Sequence, residues 1–423
     1  MNAWNAAKTL LAICFMLEAC SPSKNSSSST AASENFLENL LSRYPSYFDT
    51  ILQQRKELGI QVIYTAIDRA KNGSPRFTDY FLGVDRDVYF YPASTVKFPV
   101  AVLALQKLNE LNSTGLDRNT TMITETAGEG QTAVLNDPSA PEGRPTIAHY
   151  IKKILLVSDN DAFNRLYEFL GQDYINGALH QMGYTEAQII HRLSINLTDE
   201  QNRHTNPVRF TDSSGKTIFQ KPAEISQLQY AVRDTKLGKG FMQGSELINQ
   251  PFDFSRKNRL SLQSLHSMVR SVLFPEAVDP KQRFNLKAGD YDFLRRYMSM
   301  RPSESASPSY APGEYWDNYV KMLFYGTEKT PPENHIRIFN KTGTAYGFLV
   351  ESAYIVDYRN KVEFMVSAVI YCNSDGILND DKYDYHQLGY PFLKQLGRVL
   401  YEHELKRKRK HRPDLSAFFY HDR

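Results

Sequence analysis

The strand-forming segments of this chain sit at its two ends, and that placement limits the folds it can adopt. Residues 60–67 and 80–84 are rich in β-branched and aromatic side chains. The polar stretch Lys71-Asn72-Gly73-Ser74-Pro75 between them reads as a hairpin turn. A second strand cluster lies far downstream, at residues 336–339, 351–357 and 362–371, broken by 343–347 and by Tyr358-Arg359-Asn360. Helical spacing marks both flanks: Phe36, Leu37, Leu40, Leu41 and Tyr44 recur at three- and four-residue steps, and residues 387–405 repeat the pattern. The arrangement predicts an α/β chain in which the termini build one antiparallel sheet and a largely helical domain is inserted between them. Within that middle, Leu260 to Leu273 carries a helical pattern. Residues 206–258 carry none, and read as an elaborated insertion.

Composition narrows the class. The 423 residues are 41% hydrophobic and 23% charged, which excludes whole-chain disorder and leaves room for two or three structural units. Lys+Arg 50 against Asp+Glu 47 gives a net charge of +3, too small to argue for nucleic acid, and no basic stripe interleaved with aromatics is present. The basic run from Lys406 to Arg412 follows a helix and reads as a solvated helix end, with membrane phosphate as the alternative contact. It opens a C-terminal tail over residues 406–423.

Three cysteines, Cys14, Cys20 and Cys372, are too few for a disulfide scaffold. Residues 1–19 read as an export signal: Lys8 supplies positive charge and Thr9 to Leu17 a short apolar run. Leu17-Glu18-Ala19-Cys20 resembles the lipobox of bacterial lipoproteins, although Glu18 is unusual in it. That resemblance implies cleavage before Cys20, lipidation of Cys20 and a protein anchored on the periplasmic side of a bacterial membrane, the outer one by preference. A plain secretory signal with an incidental cysteine is the alternative. Residues 20–34 form a Ser-rich tether and the folded body spans 35–405. Cys372 then stands alone, as a buried small apolar residue.

Three short motifs carry the chemistry. Ser94 and Lys97 share one face at the start of an apolar helix, in Pro92-Ala93-Ser94-Thr95-Val96-Lys97. A serine there has an unpaired backbone N–H, and a desolvated lysine three residues on can take its proton. Taken alone the pattern is weak: it recurs at Ser21/Lys24 and Ser213/Lys216, neither of which precedes an apolar helix. Ser158-Asp159-Asn160 opens a second helix that Gly171 closes, and could equally be an N-cap cluster. Lys341-Thr342-Gly343-Thr344 leaves the strand ending at Asn340, with a cation and a hydroxyl suited to a carboxylate and a glycine that permits close approach. An ordinary edge-strand lysine before a turn is the bland alternative.

In this order and in these settings, the motifs resemble the penicillin-recognising serine hydrolases, most closely the class A β-lactamases. The resemblance covers roughly residues 35–405 apart from the insertion. It implies a five-stranded antiparallel sheet flanked by helices, an all-helical domain, and an active site between them. It also implies Ser94 as nucleophile, Lys97 as base or proton shuttle, Ser158 as hydroxyl relay and Asn160 as partner of a substrate amide. Lys341 and Thr342 would bind a carboxylate. The backbone N–H groups of Ser94 and Thr344 would hold the oxyanion, with Gly343 between.

One expected element is missing. Class A enzymes carry a loop glutamate that activates the deacylating water, with an asparagine at a fixed interval after it. The corresponding loop here runs from Arg192-Leu193 to Thr205-Asn206-Pro207, and its acidic residues are Asp199 and Glu200, with His204 four residues beyond Glu200. Glu200 is the candidate base, and a solvated loop carboxylate is the alternative. The reading is therefore a monomeric β-lactam-opening serine hydrolase. The alternatives are a D-Ala-D-Ala peptidase or esterase with slow deacylation, and a non-catalytic cell-wall-binding lipoprotein. The expected partner is a β-lactam or a peptidoglycan stem peptide, with no cofactor and no metal. Ser214-Gly215-Lys216-Thr217 is not a phosphate loop, because Phe210 stands where the first glycine is required.

Overall fold

A computed structural model describes residues 35–420. The expected export signal, Cys14, Cys20 and the expected Ser-rich tether lie outside the described residues. Five strands form one sheet: β1 (Gln61–Arg69), β2 (Pro75–Leu82), β3 (Ile336–Ala345), β4 (Phe348–Asp357) and β5 (Val362–Tyr371). Their spatial order is β3-β4-β5-β1-β2, and every neighbouring pair is antiparallel. The two ends of the chain meet where β1 pairs with β5, with Gln61 opposite Val369.

Both faces of the sheet are covered, which explains strands that read as nearly continuous apolar runs. On one face Val62, Tyr64, Phe364 and Val366 pack against helices α1 (35–41) and α2 (Pro45–Gln53) and the C-terminal helix Tyr390–Lys406. Alternate residues, among them Ile63, Ile67, Met365 and Val369, point to the opposite face. The helical domain packs there, built on α3 (Lys97–Leu111), α4 (Ile147–Val157), α5 (Asn160–Leu170) and α6 (Gln172–Gln181), with a further helix at Leu262–Leu273. Every residue of α3 from Lys97 to Gln106 is buried, so it is the central helix of that domain.

The structure departs from the sequence pattern in three places. Strand β3 does not end at Asn340 but continues to Ala345, pairing Lys341 with Ser352 and Ala345 with Phe348. The two-residue turn that closes this hairpin is Tyr346-Gly347, with φ of 53° and 80°. A turn with both central residues at positive φ suits the twist of the strands, and Tyr346 hides the signal because glycine or asparagine is the usual choice there. Secondly, the 206–258 segment is not featureless. Val208–Thr211 pairs with Thr121–Thr124 and Thr217–Lys221, burying Val208 and Phe210 in the main core. Farther on, Gly240–Gln243 pairs with Glu246–Ile248 and runs parallel to Ile377–Leu378.

Thirdly, the basic run is not wholly solvated. Arg407 and Arg409 both pair with the fully buried carboxylate of Glu404, and Arg407 also reaches Asp68 at 2.6 Å. Beyond it Leu415 and Phe418 are 1% and 4% exposed. The Phe418 ring lies 4.9 Å from Tyr354 and 5.5 Å from Phe339 between centroids. Truncating a buried phenylalanine typically costs about 3–5 kcal/mol. Phe418→Ala should therefore lower unfolding stability by about 3 kcal/mol in a urea titration, whereas an unchanged midpoint would mean that this segment is not docked.

Candidate active site

The site forms where the free edge of β3 meets the start of α3. A 3-10 turn, Ala93–Val96, runs directly into α3 and places Ser94 and Lys97 on successive turns. Ala93 holds φ at +48°, in the left-handed region that a non-glycine residue enters only under constraint. Gly343 presses on this turn: a side-chain carbon there would lie 2.8 Å from the Ser94 nitrogen and 2.9 Å from the Pro92 oxygen. Only glycine fits at that distance.

Ala345 and Phe348 flank the two-residue turn as a hydrogen-bonded pair, so Thr344 and Leu349 form the alternate, non-bonded pair. The N–H of Thr344 therefore points off the sheet edge, toward the cleft that Ser94 also lines.

Lys97 is fully buried, and its ammonium donates to the Ser158 carbonyl at 2.5 Å, Asn160 Oδ1 at 2.6 Å and Ser158 Oγ at 3.3 Å. The local backbone makes this possible. Ser158 caps the end of α4 at φ 61°, and Asp159 starts α5 by accepting from the Ala162 N–H at 2.7 Å. The intervening kink turns the Ser158 carbonyl and the Asn160 side chain toward Lys97. Burial pushes the Lys97 ammonium down to about 7, against an opposing pull from the Asp159 carboxylate.

From the sheet side Lys341, 2% exposed, donates to Ser158 Oγ at 2.9 Å and to the Thr342 carbonyl at 2.6 Å. The Ser158 hydroxyl thus bridges two lysines that come from different domains. Burial, and then the charge on Lys97, hold Lys341 well below the usual lysine range, while Glu351 pulls the other way. Behind it Lys321 donates to Asn340 Oδ1 at 2.5 Å and Asn340 donates to Glu351, which also accepts the Leu323 N–H at 2.7 Å. Burial pushes Glu351 up and Lys321 down.

Two of the expected residues make other contacts. The Thr342 hydroxyl faces Met322 Sδ at 3.1 Å and the Val350 carbonyl at 3.3 Å. Glu200 sits on the short helix Asp199–Arg203, is largely exposed, and pairs with His204 at 3.0 Å. It lines neither cavity beside Ser94.

The loop ends read from the sequence do come together. Arg192 pairs with Glu168, both buried, and donates to the His204 carbonyl at 2.6 Å, while Glu168 accepts the Asn206 N–H at 2.7 Å. The residue this loop presents to the site is Ser194, whose Oγ accepts from Asn160 Nδ2 at 2.8 Å. Sequence reasoning passed over it because a lone serine in a loop carries no signal. Lys321, Asn340 and Glu351 escaped for a related reason: they lie on the sheet and its flank, outside any motif.

Ser94 stands between two cavities. One of about 500 Å³ is bordered by Asn160, Ser194, Tyr91, Tyr346, Arg256 and Lys257. The other, of about 640 Å³, is bordered by Ser158, Thr342, Trp316, Tyr319 and Tyr390. Cys372 is remote from this chemistry, with no exposure and its thiol pushed up by burial. Among the described residues no group of three or more His, Cys, Asp or Glu could hold a metal ion, and no helix is long and apolar enough to cross a membrane.

No curated protein matches the chain. Solved structures with which it shares similarity include a β-lactamase from Xanthomonas campestris, at 13% identity over 87% of this chain and 98% of that one, TM-score 0.46. A class A β-lactamase from Clostridium kluyveri matches at 13% identity over 84% and 99%, TM-score 0.46. One from Streptosporangium roseum matches at 14% over 88% and 99%, TM-score 0.44. The model of the Beta-lactamase enzyme family matches residues 51–403. That match spans most of the chain, including all three motifs, and by it the protein belongs to the Beta-lactamase enzyme family, as a serine hydrolase of the β-lactamase and penicillin-binding type.

Proposed function

We propose that this protein opens β-lactam rings by attack of Ser94, and that the resulting acyl-enzyme is its long-lived species. The convergence of Lys97 and Lys341 on the Ser158 hydroxyl is the observation that carries the reading. Neutral Lys97 takes the proton of Ser94 as Oγ bonds to the lactam carbonyl carbon. The oxyanion rests on the N–H groups of Ser94 and Thr344. Ser158 then gives its proton to the leaving nitrogen and recovers one from Lys97, the C–N bond breaks, and an ester to Ser94 remains. Lys341 draws the substrate carboxylate to the second cavity, and Asn160 meets the amide of the acyl substituent on the first.

Release of that ester needs an oriented water. In contact with Asn160, where a carboxylate could prepare one, the loop supplies the Ser194 hydroxyl, a far weaker base. This same observation favours a second reading, a D-alanyl peptidase or esterase, in which acylation is shared and another acceptor or slow hydrolysis frees the enzyme.

Three outcomes test the proposal. A fluorescent penicillin should label the protein stoichiometrically, with Ser94→Ala losing the label; equal labelling of the variant would overturn the assignment of the nucleophile. Ser194→Glu should shorten the adduct lifetime, followed by intact mass, by about a hundredfold, the low end of what a placed general base contributes. An unchanged lifetime would show that release is limited elsewhere. Finally, the acylation rate should fall about tenfold per pH unit below about 7 and level off above it, because protonated Lys97 cannot accept the serine proton. A rate flat from pH 5 to 8 would remove Lys97 as the base.

A further inference from the structure

Resting on that reading, the structure carries an inference about the substrate. With its ring carboxylate toward Lys341 and its amide at Asn160, a β-lactam projects its acyl substituent into the cavity of about 500 Å³. Two cations from the far end of the 206–258 segment and its junction, Arg256 and Lys257, border that cavity. We propose that they form an anion subsite, so that the preferred substrate carries a carboxylate on its acyl side chain.

The charges around the cavity favour an anion. Arg192, a third cation at its border, is already neutralised by buried Glu168. Among the described residues no carboxylate lies within 4 Å of the Arg256 or Lys257 nitrogens. Of the carboxylates that act on this pair, Asp199 lines the cavity and Asp253 does not, so on the cavity wall itself the two cations face one carboxylate. His191 adds none: burial pushes it down to about 4, with Nδ1 against the Arg192 carbonyl at 2.7 Å and Nε2 accepting the Asn258 N–H at 3.1 Å. Burial also lowers Lys257, with Asp199 and Asp253 opposing, so a bound anion would relieve a desolvated ammonium.

The two cations are also held in place. Arg256 lies over the Tyr230 ring at 5.1 Å and Lys257 over Phe252 at 5.6 Å, contacts that spend none of their side-chain N–H groups on hydrogen bonds among the described residues. The next residue, Asn258, is fully buried and accepts from the Ile190 N–H at 2.8 Å and the His191 N–H at 3.2 Å. Arg259 and Gln188 exchange backbone hydrogen bonds of 2.7 and 2.9 Å. The cations are therefore set against the rigid base of the loop that carries Ser194, and a ligand meets them with little ordering cost.

Benzylpenicillin and α-carboxybenzylpenicillin differ only by the side-chain carboxylate, so the ratio of their acylation rate constants isolates the subsite. Protein comprising residues 21–423 should favour the carboxylated compound by about tenfold at low ionic strength, and the preference should shrink in 0.5 M salt. In the Arg256→Ala/Lys257→Ala double variant the ratio should fall to about one. Lys257→Gln, a milder change, should lower it partway if the double variant folds poorly. A ratio unchanged in Lys257→Gln and in the double variant, or no preference in the parent protein, would overturn the subsite. Failure of either compound to label Ser94 would instead overturn the proposed function.

Discussion

The contact between Gly343 and the backbone of Ser94 is the point on which the site depends. It joins the edge of a sheet made from the chain termini to the first turn of the central helix of the inserted domain. At 2.8 Å from a would-be side-chain carbon there is no slack, so the backbone of the β3 edge and that of the Ser94 turn are fixed relative to each other. The same joint brings two buried lysines to one hydroxyl. Burying an ammonium is costly unless its protons are used, and here Lys97 has three acceptors and Lys341 two. Those acceptors come from a left-handed serine between α4 and α5, from Asn160 at the start of α5 and from the adjoining strand edge. Local backbone strain at Ser158 is therefore part of how the charges are tolerated.

The sheet behind the site extends this logic. Glu351 stands opposite Thr342 in the register and is tied through Asn340 to Lys321. A single buried carboxylate thus acts on two lysines, Lys321 and Lys341, and the field at Lys341 reflects both of these groups together with Lys97. Side-chain hydrogen bonds rather than exposed ion pairs hold this corner together, which makes it stiff and sensitive to the removal of any member.

Much of this was legible in the sequence, for identifiable reasons. Strands buried on both faces announce themselves as dense β-branched and aromatic runs, so β1, β4 and β5 were readable. Ser94, Lys97, Ser158 and Asn160 lie beside strong helix signals, which supply the context a three-residue motif lacks. The end of β3 was obscured because Lys341, Thr342 and Gly343 look like the start of a loop, and only the partner strand reveals them as paired. Ser194, Glu351 and Arg256 contribute through tertiary neighbours distant in the sequence, and no local pattern encodes such meetings. The basic run after the last helix misled for the opposite reason. Its composition says solvent, yet a buried glutamate one turn earlier draws two of its arginines inward.

The stitching of the inserted segment has a practical consequence. Its strand Gly240–Gln243 lies parallel to Ile377–Leu378, the backbone N–H of Lys239 donates to the Gly376 carbonyl at 2.7 Å, and its base is clasped by the backbone pairing of Gln188 with Arg259. A graft of residues 206–258 alone onto a related scaffold would sever each of those seams. A transferable cassette has to carry the 121–124, 186–192 and 374–379 stretches as well, which makes the unit of exchange discontinuous along the gene although contiguous in space.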